Sequence, residues 1–113
     1  MAPFPNRWSM ESPLYAVIFT ATLKLVDADY LKTAARLREL ALSRYGCLAF
    51  SSVTEGKREI AISYWETEAA IADWKRDPEH RQAQLSGRDR WYASYRVEVA
   101  RIERQYEQSE EGV

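Results

Sequence analysis

Hydrophobic residues alternate with other residues, or recur at three- and four-residue spacing, in six successive stretches of the chain. Four stretches are rich in β-branched and aromatic residues and predict strands over residues 14–24, 47–54, 58–65 and 91–104. Two stretches with helical spacing predict one helix over residues 27–45 and a second helix that begins after Thr67. The order is strand, helix, strand, strand, helix, strand. It predicts an α+β, ferredoxin-like βαββαβ fold with an antiparallel sheet and both helices on one face.

Capping residues mark the ends of the predicted helices. Asp27 or Asp29 can accept hydrogen bonds from the free N–H groups of the first helix, and Thr67 can do so for the second. A residue that precedes proline is pushed out of the helical region, so the second helix should bend at Asp77, which can then cap a new helical segment. We expect Gly87 to end that segment in a left-handed conformation.

The predicted sheet is apolar on both faces. The first strand begins LYAVIF (residues 14–19), so residues that point in opposite directions are both hydrophobic, and the third strand places Ile60 and Ile62 against Ala61 and Trp65. An antiparallel sheet covered by helices on one face should instead alternate between apolar and polar residues. Because closed two-fold dimers are the commonest oligomers, we predict a homodimer through the sheet face.

Composition places the chain among ordinary single-domain proteins. It has 113 residues, of which 46% are hydrophobic and 29% are charged. We predict one domain over residues 14–107, an irregular proline-containing arm over residues 1–13, and an acidic tail over residues 108–113. The formal charge of −1 gives no basic field, so neither nucleic acid nor an anionic membrane is an expected partner. Without a signal-peptide pattern or a long apolar run, the expected location is cytoplasmic.

Two segments carry a resemblance to a known family. They are YWETEAAIADWKRDPEHRQAQ, residues 64–84, and GRDRWYASYRVEVARIERQY, residues 87–106. Together they resemble the antibiotic biosynthesis monooxygenase family of dimeric α/β barrels, and the similarity runs from Tyr15 to Tyr106. It implies two ferredoxin-like chains packed sheet to sheet, each with a pocket between its helices and its own sheet. Some members of that family oxidise aromatic polyketides without metal or flavin, and others degrade haem.

The haem-degrading branch implies three residues: an asparagine on the first strand, a tryptophan on the second helix, and an iron-ligating histidine ten residues later. Trp74 matches the tryptophan. The position ten residues later is Gln84, and the chain's one asparagine is Asn6, before the first strand. His80 follows Trp74 by six residues, so it could approach iron only if the bend brought it round. The sequence therefore disfavours haem.

Three residues are candidates for catalysis. His80 could act as a base, because its ordinary pKa is near 6.5, and Tyr95 or Arg88 could donate a hydrogen bond to a substrate oxyanion. Aromatic side chains that could hold a flat ligand by stacking are Phe19, Trp65, Trp74, Trp91 and Tyr92. Structural alternatives stay open: Trp74 as a core anchor, His80 as a surface residue near the cap at Asp77, and Arg88 as a solvated loop residue.

Conventional enzyme signatures are absent from the sequence. One histidine and one cysteine cannot form a closed zinc site, and neither a glycine-rich phosphate loop nor a CxxC pair occurs, so we predict no metal and no cofactor. The leading hypothesis is a cofactor-independent monooxygenase acting on a small aromatic or polyketide-like substrate. The alternative is a non-catalytic dimeric ligand-binding or assembly module. RNA binding is disfavoured, because the third strand lacks the glycine and stacking aromatics of an RNP1 motif.

Overall fold

The computed structural model describes residues 14–108. The predicted arm over residues 1–13 and all but the first residue of the predicted acidic tail lie outside this range. The described elements in chain order are β1 (Tyr15–Leu23), α1 (Ala28–Ser43), β2 (Ala49–Glu55), β3 (Arg58–Trp65), α2 (Glu68–Arg76), α3 (Pro78–Ser86), a π-helical turn (Gly87–Trp91) and β4 (Tyr92–Arg101). The order confirms the predicted α+β, ferredoxin-like fold.

The four strands form one antiparallel sheet in the order β2-β3-β1-β4. Phe19 in the centre of β1 lies opposite Ala61 of β3 and Val97 of β4. Successive residues of a strand point to opposite faces, and Val17 packs against Leu40 of α1 and Ile71 of α2, so the odd-numbered residues of β1 face the helices. This register decides which side chains meet beneath α1, α2 and α3.

The predicted caps of α1 and α2 are present. Asp27 is the N-cap of α1, where its carboxylate accepts a hydrogen bond of 2.8 Å from the backbone N–H of Tyr30. Thr67 is the N-cap of α2, where its hydroxyl oxygen accepts a hydrogen bond of 3.0 Å from the backbone N–H of Ala70. Each cap satisfies an amide group that the helix itself leaves free.

The predicted bend between α2 and α3 lies at Asp77, whose φ of −57° and ψ of 135° are outside the helical region. The Asp77 carboxylate accepts hydrogen bonds of 2.8 Å from the backbone N–H of Glu79 and 2.7 Å from the hydroxyl of Tyr45. The bond from Tyr45 is the main cause that lowers the pKa of Asp77, and it raises the pKa of Tyr45. The carboxylate therefore fixes both the start of α3 and its distance from the end of α1.

The predicted end of α3 at Gly87 is confirmed, because Gly87 is its C-cap, but the predicted left-handed conformation is wrong. Gly87 has φ −60° and ψ −48°, which is right-handed helical, and the chain continues there into the π-helical turn. The described glycines with positive φ are Gly46 (78°), beyond the end of α1, and Gly56 (61°), in the hairpin between β2 and β3. Position 87 requires glycine for space, because an added Cβ would lie 2.6 Å from the ring of Tyr92. The sequence signal was correct in marking glycine and wrong about the reason.

The start of the last strand also differs from the prediction. Trp91 belongs to the π-helical turn, and β4 begins at Tyr92. Leu23 pairs with Tyr92 while Thr22 pairs with Ser94, so the register shifts by one extra residue in β4. Such a bulge changes which residues share a face. Tyr92 and Tyr95 both point toward the helices as a result, whereas strict alternation would have separated them.

Two hydrophobic clusters hold the helices to the sheet. The larger cluster joins β1, β3, α1 and α2 through buried residues, namely Val17, Leu40, Ala41, Cys47, Trp65, Ile71 and Trp74. The smaller one lies at the other end of β1 and consists of Leu23, Tyr30 and Trp91, with Tyr92 packed against it. The space between the two clusters is where the candidate site lies. Among residues 14–108, no helix has both the length and the apolar character that a membrane crossing requires.

Candidate functional site

A cavity of about 150 Å³ lies between the helices and the helix-facing side of the sheet. Its floor includes Val17 and Phe19, two inward residues of β1, and its roof includes Ala34 and Leu37 of α1 and Ala83 of α3. The aromatic part of its lining consists of Phe19, Tyr30, Phe50, Trp74, Tyr92 and Tyr95. A concave, largely apolar space with few polar groups is typical of small-molecule sites.

Trp74 is part of the core and part of the cavity wall. It is 6% exposed, and its indole packs 5.3 Å from the ring of Trp65 and 6.0 Å from the ring of Phe50. Its Nε1–H donates a hydrogen bond of 3.2 Å to the backbone carbonyl of Leu37, which ties α2 to α1. Both interpretations of Trp74 from the sequence, core anchor and cavity residue, therefore apply to the same side chain.

His80 lines the cavity beside Trp74. The two rings meet edge to face, with centroids 4.4 Å apart, and the buried Nδ1 atom of His80 has no hydrogen-bond partner among the described residues. Burial lowers the pKa of His80, and the positive charge of Lys75 lowers it further. The imidazole is therefore neutral near pH 7, a form that has one nitrogen able to accept a proton.

Tyrosine rings surround Phe19 at the β4 side of the cavity. The ring of Phe19 lies 5.4 Å from that of Tyr92 and 6.0 Å from that of Tyr95, where the two planes are inclined by only 27°. Tyr30 meets Tyr92 edge to face at 6.1 Å. Burial is the main cause that raises the pKa values of Tyr92 and Tyr30, so both phenols remain protonated and can donate hydrogen bonds at neutral pH.

Glu59 is a cavity residue that the sequence analysis did not select. It is 8% exposed, lines the cavity, and accepts a hydrogen bond from the hydroxyl of Thr54. A signal was available, because Glu59 precedes Ala61, Ser63 and Trp65 at two-residue spacing and so shares their face of β3. Charged residues are mostly exposed, so charge by itself would not have indicated a buried position.

Basic side chains line the cavity at the Trp74 end. Arg38 of α1 places its guanidinium 5.4 Å from the centre of the Phe50 ring and donates a hydrogen bond of 2.8 Å to the hydroxyl of Ser52. Lys75 follows Trp74 on α2 and also borders the space. The cavity therefore has basic groups near Trp74 and a carboxyl group, Glu59, elsewhere on its wall.

Five of the eight residues chosen from the sequence line this cavity, and three do not. Phe19, Trp74, His80, Tyr92 and Tyr95 border it. Trp65 is fully buried in the larger cluster, where its Nε1–H donates a hydrogen bond of 2.9 Å to the hydroxyl of Ser63. Trp91 is 3% exposed in the smaller cluster, and Arg88 is exposed on the π-helical turn. These three lie outside the lining, so the structure gives them no contact with a ligand in this space.

The described residues offer no metal centre: no group of three or more histidine, cysteine, aspartate or glutamate side chains is positioned to hold an ion. Haem does not suit the cavity either. A space of about 150 Å³ is comparable to an engineered cavity that holds one benzene molecule, which is far smaller than a porphyrin. Gln84, at the position where the haem-degrading branch implies a histidine, also lines the cavity and supplies an amide rather than an imidazole.

Comparison with known proteins gives a family and one curated relative. The family model described as "Antibiotic biosynthesis monooxygenase" matches residues 18–85. The uncharacterized protein YqjZ of Bacillus subtilis (strain 168) is 43% identical over 96 residues, which cover 84% of each chain. The region matched by the family model begins within β1 and ends within α3, so the π-helical turn and β4 follow it.

Solved structures share the fold at low sequence identity. One is a mutant form of SnoaB of Streptomyces nogalater, described as a cofactor-independent oxygenase; the TM-score is 0.71 at 12% identity, over 84% of this chain and 98% of that one. Another is PA3566 of Pseudomonas aeruginosa, with a TM-score of 0.64 at 18% identity, over 87% of this chain and 99% of that one. At these identities the likeness supports the fold alone.

Proposed function

The chain belongs to the antibiotic biosynthesis monooxygenase family, and from that premise we propose that it is a cofactor-independent monooxygenase acting on a small hydroxylated aromatic compound. The observation that carries the proposal is the aromatic cavity with the neutral imidazole of His80 on its wall. Chemistry of this kind needs few protein groups: a base, a hydrogen-bond donor, and a site from which water is excluded. In the proposal His80 is the base, the tyrosine phenols are the donors, and the largely apolar lining disfavours water.

The size of the cavity favours one aromatic ring. A volume of about 150 Å³ corresponds to one benzene-sized molecule, so the further rings of a polycyclic substrate would not fit within it. The ring would lie against Phe19, whose own ring already stacks with Tyr95. A monocyclic hydroxyarene is therefore the proposed substrate class, and polyketide-like substrates of several rings are disfavoured.

In the proposed reaction His80 takes the proton of a ring hydroxyl. The resulting anion lies near Arg38 and Lys75, whose positive charges stabilise it, and it transfers electrons from the ring to dioxygen. One oxygen atom becomes a carbonyl oxygen at a ring carbon. The other leaves as water together with two hydrogens, one from the hydroxyl and one from the oxidised carbon. The substrate is thereby oxidised to a quinone, and dioxygen is the only oxidant.

Tyr92 and Tyr95 are the proposed donors to the reduced oxygen species. Both lie on the β4 side of the cavity, and the raised pKa of Tyr92 keeps its phenol protonated in the pH range where His80 is neutral. A protonated phenol can donate a hydrogen bond to developing negative charge without itself ionising. Arg88, the alternative donor selected from the sequence, is not used because it lies outside the cavity.

We also propose that the chain forms a homodimer through the sheet. The face opposite the helices carries Ile18, Ile60 and Ile62, all partly buried, and Val53, which is 66% exposed. Uncovered apolar side chains of this kind commonly mark protein interfaces. Sedimentation velocity should give a dimer. Ile62→Glu should shift the equilibrium to monomer, whereas Leu31→Glu on the exposed face of α1 should not, and a wild-type monomer at micromolar concentration would reject the interface.

The activity is tested by oxygen consumption with ¹⁸O₂ and a panel of monocyclic hydroquinones and tricyclic hydroxyarenes. The expected product contains one ¹⁸O atom, with the second in water, and chelators have no effect on the rate. His80→Gln should lower kcat by about 10²- to 10⁴-fold. Arg81→Gln, on the exposed face of the same helix, is the matched control and should retain activity. Absence of turnover with every compound would reject the proposal, and binding without turnover would support the ligand-binding alternative.

A further inference from the structure

Glu59 is a buried carboxyl group with little to neutralise it. It is 8% exposed and sits on β3 opposite Ala21 of β1 and Thr54 of β2. Its side chain accepts a hydrogen bond from the hydroxyl of Thr54, and no ion pair within residues 14–108 includes it. A carboxylate can accept about four hydrogen bonds, so Thr54 satisfies only part of its capacity.

A buried carboxyl group without an ion-pair partner carries a desolvation cost. Burying a polar group without hydrogen-bond partners destabilises a protein by roughly 1–3 kcal/mol, and a charge without a partner costs more. Most of the surrounding cavity wall is aromatic, from Phe19, Tyr30 and Tyr92, and cannot supply a positive charge. A buried carboxyl group with one hydrogen bond and no ion pair is explained when a ligand brings a further donor.

Glu59 and His80 line different parts of the cavity wall. Phe50 of β2 lies opposite Ser63 of β3 and packs against Trp74, which in turn contacts His80. Glu59 precedes Ser63 by four residues on the same strand, which separates the two levels by about 13 Å at 3.3 Å per residue. Lys75 follows Trp74 on α2, and the guanidinium of Arg38 donates a hydrogen bond to Ser52, which lies opposite Ala61, midway between Ser63 and Glu59. The carboxyl group of Glu59 therefore lies toward one end of the cavity, and the basic groups lie in its middle and near Trp74.

We propose that Glu59 determines specificity by accepting a hydrogen bond from a second hydroxyl of the ligand, opposite the hydroxyl that faces His80. The ligand class is a monocyclic aromatic with hydroxyl groups on opposite sides of the ring. The hydroxyl at Glu59 stays protonated, because a carboxylate disfavours a neighbouring anion, while the hydroxyl beside Arg38 and Lys75 is the one that ionises. Glu59 thus fixes the direction in which the ring enters. The inference rests on the proposed function only for taking this cavity as the substrate site.

Binding is measured by isothermal titration calorimetry under argon, so that no oxygenation takes place and a failure of the proposed activity does not affect the result. Two probes of one skeleton are compared: hydroquinone, with two opposed hydroxyls, and 4-methoxyphenol, in which one hydroxyl is methylated. We expect hydroquinone to bind the wild-type chain at least tenfold more tightly. In Glu59→Leu the ratio should fall to about one, because the methyl ether and the hydroxyl then meet an apolar wall equally.

Glu59→Gln is the second variant and retains the shape and one acceptor oxygen. We expect it to fold even if Glu59→Leu does not, and to reduce the hydroquinone preference at least threefold, because a neutral acceptor forms weaker hydrogen bonds than a carboxylate. Glu55→Gln, at the exposed end of β2, is the matched control and should keep the wild-type ratio. Equal binding of both probes to the wild-type chain, or an unchanged ratio in Glu59→Gln, would overturn the assignment.

Discussion

The imidazole of His80 meets the indole of Trp74 with ring centroids 4.4 Å apart and planes inclined by 80°. On a straight helix, residues six positions apart point in directions about 240° apart and do not touch. The bend at Asp77 removes that restriction, because α3 begins in a new direction after Pro78. The contact is thus a product of the bend, and it brings the chain's one histidine to the cavity wall.

The pH dependence of stability should reveal the environment of His80. Burial lowers its folded-state pKa, so below about pH 6.5 the unfolded chain binds a proton that the folded chain does not. Stability should therefore fall as pH drops from about 6.5 toward the folded-state pKa. Urea unfolding between pH 5 and 8 measures the slope for the wild-type chain and for His80→Gln.

In that comparison His80→Gln should remove the slope between pH 5.5 and 6.5 that the wild-type chain shows, while carboxyl groups titrating at lower pH affect both proteins alike. A direct NMR titration of the His80 ring protons should give a pKa below 6.5. An NMR value at or above 6.5 would contradict the burial of the imidazole in solution.

Trp74 should be the most costly cavity residue to truncate. Trp74→Ala removes a buried ring and should lower the free energy of unfolding by about 3–5 kcal/mol. Trp74→Phe keeps an aromatic ring but loses the hydrogen bond to the Leu37 carbonyl, and it should cost less than Trp74→Ala. Chemical denaturation gives both values. Tyr106→Ala, at an 87% exposed position, should lie within about 0.5 kcal/mol of wild type.

Gly87→Ala should destabilise the protein although the backbone at position 87 is helical. The added Cβ would lie 2.6 and 2.8 Å from two ring carbons of Tyr92, so the ring must shift, at a cost of about 1–3 kcal/mol. In a Tyr92→Ala background the same change meets no ring and should be neutral or stabilising. A double-mutant cycle by thermal unfolding measures the coupling, and additive effects would rule out the steric explanation.

The hydrogen bond between Trp65 and Ser63 offers a similar test inside the core. Both residues are buried, and Ser63→Ala would leave the Nε1–H group of Trp65 without its acceptor, at a cost of about 1–3 kcal/mol. In a Trp65→Phe background no donor remains, so Ser63→Ala should cost less than about 0.5 kcal/mol. Equal costs in the two backgrounds, measured by urea denaturation, would show that the bond contributes nothing.

Local sequence signals were sufficient for the elements and for their caps. Asp27, Thr67 and Asp77 cap helices where the sequence predicts, because capping depends only on a side chain and the amide groups two or three residues away. The βαββαβ order follows from hydrophobic spacing within single elements. The sequence also predicted the aromatic character of the site, because it shows the aromatic residues themselves without their positions in the fold. These residues are Phe19, Trp74, Tyr92 and Tyr95.

Which of those residues share one space was decided by the tertiary structure. Trp65, Trp91 and Arg88 resemble the other candidates in sequence but lie elsewhere, because inward direction depends on strand register and on where β4 begins. Glu59 lines the cavity because the pairing of β3 with β1 and β2 places its side chain on the sheet face toward the helices. Its charge by itself would favour a solvent-exposed position. The spacing of residues along the chain determines to which face of one strand or helix each side chain points. Which elements contact each other depends on tertiary packing, which the sequence of a single element does not specify.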